Sequence, residues 1–409
     1  MAFLNTSPLQ QLDMRQLVDP EGAERGDVVS ESATAFVVVY GDGRLGTYSG
    51  QFQVAGGEVL GGTANQYVES VNGADVLSLG GFGVSLFDFE SALVGGGLDQ
   101  LFRNQIFNGA DTFEGSDFGD YLFGYGGNDI FEGNSGNDTI DGMGGIDTAK
   151  YDDPREDFKL TVNADGTVEV RDVDGDEGED TLISVEQIAF SDEVFPLDQF
   201  AGIAGLEEAQ IRIFVEMYIA YFDRAPDAPG LFYWGTRLAD GMMLNEIARS
   251  FFDQDETRAL YPDPGDNEGL VKAVYQNVLE REPDPAGEAY WIEQLEMGMV
   301  DRGEFILAII DGAKKFAAPD ATPEQIEQAE ADVRTITDKA DIGVYYAVIQ
   351  GLDDPFGEAR EAMDIYSVED RDASLASAKA EIDAFAADAS TDFTLQLMGV
   401  LDDPFAAAG

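Results

Sequence analysis

Five aspartates recur at nine-residue intervals: Asp111, Asp120, Asp129, Asp138 and Asp147. They hold the sixth position of consecutive windows that start at Ile106: IFNGADTFE, GSDFGDYLF, GYGGNDIFE, GNSGNDTID and GMGGIDTAK. Position 8 of each window is apolar (Phe113, Leu122, Phe131, Ile140, Ala149), glycine opens the last four, and position 4 is glycine in four of the five. One inward apolar residue per nine predicts a half-coil, a glycine-rich turn followed by a short strand. The glycines permit positive φ and close backbone approach there. Two half-coils close one turn of a flattened parallel β-roll. Asp111, Asp129 and Asp147 then line one edge, and Asp120 and Asp138 the other. Carboxylates stacked at the strand spacing of about 5 Å repel one another unless a cation lies between them. Calcium suits such a gap because it takes carboxylates and backbone carbonyls in flexible oxygen geometry. Five half-coils provide about three intercoil sites. The competing reading is an acidic glycine-rich linker without metal, and five registered Asp-x-apolar windows weigh against it.

Composition narrows the chemistry. The 409-residue chain, long enough for two to four domains, carries 81 acidic and 23 basic residues, a formal net charge of −58. Nucleic acid and anionic membranes are disfavoured because the phosphate term is repulsive. There is no Cys and no His, so disulfides, thiolate or imidazole metal sites and Ser-His-Asp or Cys-His catalysis are excluded. Any metal must be held by oxygen, which points to Ca²⁺ or Mg²⁺. The segment MAFLNTSPLQQLDMRQL is not expected to be a Sec signal peptide, lacking a basic stretch followed by an apolar run. No 18-residue apolar segment is present.

The windows resemble the RTX calcium-binding repeat, GGxGxDxUx, of bacterial secreted proteins. IFNGADTFE departs from that pattern in lacking the leading Gly-Gly, and GSDFGDYLF in placing Phe118 where glycine is usual. The resemblance implies that turn residues Gly109, Gly124, Gly126, Gly127, Asn128, Gly133, Gly136, Asn137, Gly142, Gly144 and Gly145 join the five aspartates in holding calcium. It also implies export through a type I channel in an unfolded state, with an uncleaved C-terminal signal. The tail DFTLQLMGVLDDPFAAAG, acidic and then small and apolar, is compatible with one.

The flanks divide the chain further. Residues 1–25 read as an N-terminal arm and 26–98 as an antiparallel β-rich domain, with a turn at Gly41–Gly43 between two strands. That domain is expected to be a small sandwich or an extension of the roll, with Tyr40, Tyr48, Phe52 and Tyr67 as packing residues. The roll covers 99–151. Residues 152–198 are expected to form a β-hairpin cap, turning at Asp165-Gly166 and ending in a V-E-x-I-x-F-x-D phrase, Val185–Asp192. Asp172, Asp174 and Asp176, with Asp180, form a carboxylate cluster in the cap. An EF-hand needs glycine where Glu177 stands, so the cluster is either a solvated turn or an extra calcium site.

Beyond residue 200 the spacing becomes helical, with Ile211, Phe214, Val215, Tyr218 and Phe222 on one face. RAPDAPGLFYW (224–234) returns 57 residues later as REPDPAGEAYW (281–291). Asp227 and Asp284 are expected to N-cap helices, with Pro285 at N1. Each Arg is expected to pair with the capping Asp or lie on the Trp face, and each Tyr-Trp pair to pack on the preceding helix. The duplicated pattern, over about 207–315, resembles a domain of unknown function found after RTX repeats in secreted and surface-layer-associated proteins. It lies within a helical domain at 199–318. Residues 319–409 add further helices, one opened by a capping box at Thr322–Gln325, and the tail.

The predicted fold is multidomain α+β: an antiparallel β-domain, a short parallel β-roll with a β cap, and an all-α domain. The predicted function is a secreted calcium-binding structural or surface protein, such as an adhesin, matrix or surface-layer component, and not an enzyme. Its expected partners are the type I secretion apparatus, itself in calcium-dependent assembly, or a cell-surface glycan. The alternatives are a carbohydrate-binding or scaffolding accessory protein and a secreted hydrolase using paired carboxylates.

Overall fold

The nine-residue period sets the architecture of the first half of the chain. A computed structural model describes residues 3–6, 27–31, 35–39, 45–55, 58–71, 74–85, 88, 98–173, 175, 177–315, 317, 321–354, 357–389 and 393–406. The fold is multidomain α+β. Two compact units divide it, Met1–Lys159 with Thr167–Asp198, and Leu160–Gly166 with Gln199–Gly409.

The first unit is β-structure. Its leading strands are β1 (Phe3–Thr6), β2 (Asp27–Glu31), β3 (Ala35–Val39), β4 (Leu45–Ala55), β5 (Glu58–Val71) and β6 (Ala74–Ser85). Strands β2 to β6 pair antiparallel in sequence order. The reading that left a sandwich or an extension of the roll resolves to the extension. Strand β1, assigned by sequence to the N-terminal arm, lies antiparallel to β6 and parallel to the first roll strand, so it joins the two halves of one sheet. Tyr48 and Tyr67 oppose each other across β4 and β5 with centroids 4.9 Å apart, and both are buried with Phe52. Tyr40 and the Gly41–Gly43 turn lie outside the described residues.

The roll strands are β7 (Thr112–Glu114), β8 (Tyr121–Phe123), β9 (Ile130–Glu132), β10 (Thr139–Asp141) and β11 (Thr148–Lys150). They are followed by β12 (Phe158–Asn163), β13 (Val168–Asp172), β14 (Glu179–Ile183), β15 (Gln187–Ala189) and β16 (Val194–Pro196). Alternate strands pair in parallel: β7–β9–β11–β15 on one side, β8–β10–β14 on the other. That is the two-half-coil turn predicted from the period. The position-8 residues Phe113, Leu122, Phe131, Ile140 and Ala149 are at most 1% exposed and form the core. Phe113 and Phe131 stack at 4.8 Å, and Phe107 packs on Phe113 at the start of the column. Leu182 and Ile188 continue that column, in register with Ile140 and Ala149. Asn163 to Gly166 forms the expected turn, with the Gly166 N–H donating to Asn163 O at 2.9 Å.

The second unit is helical: α1 (Glu208–Phe222), α2 (Ala228–Ala239), α3 (Leu244–Phe252), α4 (Asp255–Leu260), α5 (Asn267–Leu279), α6 (Pro285–Glu296), α7 (Arg302–Ala313), α8 (Pro323–Val344), α9 (Glu358–Asp364) and α10 (Arg371–Asp388). The duplication is structural as well as sequential. Asp227 and Asp284 cap α2 and α6 through Gly230 N–H and Gly287 N–H. Asp223 and Glu280, 57 residues apart, end α1 and α5 in left-handed conformations, φ 51° and 53°. Thr322 and Gln325 close the predicted capping box of α8. Strand β17 (Thr394–Met398), from the tail, buries Leu395 and Leu397.

Arg224 pairs with its capping Asp227 at 3.4 Å, the first of the two expected alternatives, whereas the alternative stacking on tryptophan and the packing of the Tyr-Trp pairs are corrected. The guanidinium groups lie over Tyr218 and Phe222, and over Tyr275, rather than over tryptophan. Trp234 and Trp291 pack edge-on or tilted against Phe251 and Phe305 of the following helices, because those helices carry the large apolar faces. Trp291 also lies near Tyr275 on the preceding helix.

A buried cation joins the two copies. Lys339 of α8 is 1% exposed, and its Nζ donates to Asp223 (3.1 Å), to Glu280 (2.6 Å) and to the Asn277 carbonyl (2.7 Å). It therefore meets the equivalent C-terminal residue of both copies. Replacing Lys339 by Ala strands two carboxylates at helix ends that already carry negative partial charge. Both acids are partly exposed, which limits the loss to about 2–3 kcal/mol. We expect the helical melt at 222 nm to move to lower temperature in Lys339→Ala while the calcium response of the roll stays unchanged.

Candidate metal centre

Each aspartate of the repeat sits immediately before a roll strand, because the tight turn ends there and the next residue must enter the parallel ladder. The main-chain carbonyl of Asp111, Asp120 and Asp129 accepts from the residue nineteen places on: Ile130 (3.0 Å), Thr139 (2.8 Å) and Thr148 (2.9 Å). The side chains form a second ladder beside it. Asp111 N–H donates to Asp129 Oδ1 at 2.8 Å, Asp120 N–H to Asp138 Oδ1 at 2.7 Å, and Asp129 N–H to Asp147 Oδ1 at 2.8 Å. The structure thus brings Asp111, Asp129 and Asp147 into one rail and Asp120 and Asp138 into the other. All five are at most 2% exposed. The departures from consensus in the first two windows leave this register intact.

That ladder accounts for Oδ1 of Asp129, Asp138 and Asp147. The other oxygen, Oδ2, distinguishes the start of the Asp120 rail from the interior. Asp120 Oδ2 accepts from the Ser116 N–H at 2.5 Å. In the interior, Oδ2 of Asp129, Asp138 and Asp147 is buried with no hydrogen-bond partner. The first glycine of a window leaves the space for it: a Cβ on Gly124 would stand 2.6 Å from Asp129 Oδ2, and one on Gly142 2.5 Å from Asp147 Oδ2.

The turns have their own periodicity. Tyr125, Asn134 and Met143 are left-handed at φ 64°, 65° and 61°, and Gly127, Gly136 and Gly145 follow two residues later at φ 134°, 124° and 153°. Gly127 N–H donates to Gly144 O, and Gly126 and Gly144 lie at equivalent places in turns one coil apart. Gly109 approaches Gly127, and Gly127 approaches Gly145, so closely that a side chain has no room. Gly133 stands against the Asp138 carboxylate. Asn128 Oδ1 accepts from Ile146 N–H (3.1 Å), and Asn137 Oδ1 from Glu179 N–H (3.2 Å), so these side chains tie turn to turn.

Sequence reasoning missed where the rails end. Asp138 N–H donates to Asp180 Oδ1 and Asp147 N–H to Glu186 Oε2, both at 2.8 Å. Asp180 Oδ2 in turn accepts from Tyr151 O–H at 2.8 Å. The cap therefore supplies the last rung of each rail. A signal was present: Asp180-Thr181-Leu182 repeats the Asp-Thr-apolar phrase of Asp138-Thr139-Ile140. Asp172 is occupied differently; its Oδ2 accepts from Glu177 N–H at 2.9 Å, closing a local turn. Asp174 and Asp176 lie outside the described residues.

The repeating turns, the carboxylate rails and the unmet interior oxygens together decide what this segment is. The chain carries RTX calcium-binding nonapeptide repeats. The profile of that repeat (4 copies) matches residues 107–140 and 114–149, and that of a Domain of unknown function (DUF4214) matches 248–316, within the helical unit. No curated protein matches the chain.

The donor set of the RTX roll fits a hard cation. Nine acidic residues and one basic residue, Lys150, lie in the five windows. Among the described residues no three acidic side chains converge on one point. A cation in one gap would therefore complete its coordination with turn carbonyls, a set that calcium accepts. Burial pushes the Asp129 carboxyl up to about 7, Asp138 up to about 9 and Asp147 up to about 6, and neighbouring carboxylates in the rail add to the rise.

The ordinary carboxyl value is 3.8. Between it and the raised values the metal-free roll binds more protons than the unfolded chain. Its stability is full at acid pH and is lost as pH rises through about 6 to 9. In chelator, the β-signal of the RTX roll is expected to be stronger at pH 5 than at pH 8. Excess calcium, which favours the ionised form, is expected to remove that difference. Asp180→Ala, which strands the Asp138 N–H and the Tyr151 hydroxyl, is expected to destabilise the calcium-loaded roll by about 2–4 kcal/mol in thermal melts.

Proposed function

We propose that this protein is a secreted structural protein of the cell surface whose RTX roll folds when it binds extracellular calcium. The observation that carries the reading is the set of buried, unmet Oδ2 atoms on Asp129 and Asp147 in one rail and on Asp138 in the other. A buried polar atom without a partner costs about 1–3 kcal/mol, and more if charged. Three at the same position of successive windows, on the two rails, mark places for a missing ligand, and the donors present are all oxygen. In this reading the five repeat aspartates and their turn carbonyls hold the ions in the gaps between coils.

Calcium concentration then makes the fold conditional on compartment. Extracellular sites of this kind bind with Kd of about 10⁻⁴ to 10⁻³ M, so they stay empty where calcium is scarce. At ten times Kd each filled site adds about 1.4 kcal/mol to folding. A chain that is open before export and closed after it is suited to passage through a type I channel. The absence of cysteine removes any need for oxidative folding. Among the described residues no helix is long and apolar enough to cross a membrane. The recognised segments are the RTX repeats and a domain of unknown function, with no catalytic family among them, which favours a structural or adhesive role over hydrolysis. Calcium-dependent self-association at the surface is part of the proposal.

Calcium titration followed by circular dichroism tests the reading. A β-signal is expected to appear with calcium and not with equal magnesium, which dehydrates reluctantly and demands octahedral geometry. Asp129→Ala and Asp138→Ala are each expected to raise the calcium midpoint. Titrations unchanged in both variants would exclude the proposed ligands. Light scattering over the same titration reports assembly, and a chain that stays monomeric in calcium would remove the self-association component.

A further inference from the structure

The helical unit holds a cleft of about 560 Å³ lined by Arg249, Arg258, Arg302, Phe252, Tyr261 and Asp301, among others. This is within the size range of small-ligand sites. It lies inside the segment matched by the domain of unknown function. Three of the chain's 23 basic residues converge on it, in a protein of net charge −58.

The three arginines are not equivalent. Arg249 is paired with Asp301 and Glu304, and Arg258 with Asp253 and Asp255. These exposed pairs are worth about 0–1 kcal/mol each, so an incoming anion can replace them at small cost. Arg302 makes no ion pair among the described residues. Its NH2 group donates instead to Pro264 O (2.7 Å) and Asn267 Oδ1 (3.2 Å), both neutral acceptors. Burial pushes its guanidinium down, the effect expected of a cation moved away from water without a contacting counter-anion. The two hydrogen bonds fix the guanidinium plane beside the start of α7.

The cleft also has an aromatic wall. Tyr261 donates its hydroxyl inward to Tyr221 O at 3.2 Å, so its ring is the part available to a ligand, with Phe252 beside it. A guanidinium whose Nε and NH1 groups are engaged by neither neutral acceptor and can each donate a charge-assisted hydrogen bond to a carboxylate, next to ring faces that stack on a flat apolar surface, matches a sugar ring bearing a carboxylate. A neutral sugar leaves Arg302 without an anion in contact, since Asp266 and Asp263 act on it only from a longer distance. An acidic peptide does not use the ring faces. Long-range repulsion from the chain's charge is screened beyond about 8 Å at physiological salt.

We propose that the cleft formed by α3, α4, the Tyr261–Pro264 turn and the start of α7 binds an acidic sugar of an anionic polysaccharide, with Arg302 holding the carboxylate, Arg249 and Arg258 flanking it, and Tyr261 and Phe252 stacking on the ring. The site lies wholly in the helical unit and does not rest on the calcium reading of the roll.

Isothermal titration of the full chain in saturating calcium tests this, using a hyaluronan tetrasaccharide as the glucuronate probe, with chitotetraose and tetraglutamate as comparators. The roll's calcium response, followed by circular dichroism on the same samples, separates failure of the cleft from failure of the roll. The glucuronate probe is expected to bind about tenfold more tightly than either comparator, and Arg302→Gln to weaken it about tenfold or more, with Arg302→Lys intermediate. Should Arg302→Gln fail to fold, the exposed Arg258→Gln decides, with an expected loss of about threefold. Equal affinity for chitotetraose, tighter binding of tetraglutamate, no measurable binding of the glucuronate probe, or unchanged affinity in the deciding variant overturns the proposal.

Discussion

One repeated hydrogen bond organises the RTX roll: the N–H of an aspartate donating to the carboxylate of the aspartate eighteen residues later. It fixes the distance between coils and buries the acid that makes it. It also uses only one of two oxygens. The second is left inside the protein, where an uncompensated charge is costly. A roll built this way cannot supply its own counterion, since Lys150 is the sole basic residue in the five windows. The link that gives the coil its register is therefore the link that leaves it dependent on something outside the chain.

The Asp120–Asp138–Asp180 rail ends on protein donors, and the difference between its ends and its interior is informative. Ser116 closes Asp120, and Tyr151 closes Asp180. At those positions the surrounding sequence provides an N–H or O–H in place of a cation. Between them the windows repeat too faithfully for any donor to be added, because the glycine at position 1 must leave its space empty. Repetition thus favours a small diffusible ligand that can be used once per gap.

The helical unit solves charge in the opposite manner. It carries its own cations and places them between copies of a duplicated motif. Arg224 grips Glu256 through two bonds, and Arg281 grips Asp332 in the same fashion. The two acids are not equivalent in the repeat. Glu256 follows the first copy directly, whereas Asp332 arrives from α8. Lys339 likewise comes from outside both copies and meets the matched ends of each. The duplication alone left the partner of each arginine open, since an identical motif can be completed by different neighbours.

The windows, the inward residues at position 8, the assignment of five aspartates to two edges, the helix caps at Asp227 and Asp284 and the capping box at Thr322 were all legible in the sequence, because each depends on spacing along the chain. The insertion of Phe3–Thr6 between β6 and β7, the completion of the rails by Asp180 and Glu186, the packing of Trp234 and Trp291 on later helices, and the meeting of Arg249, Arg258 and Arg302 in one cleft were decided by tertiary structure. Those pairings join residues that share no period, so only the folded backbone sets which donors and acceptors come within reach of one another.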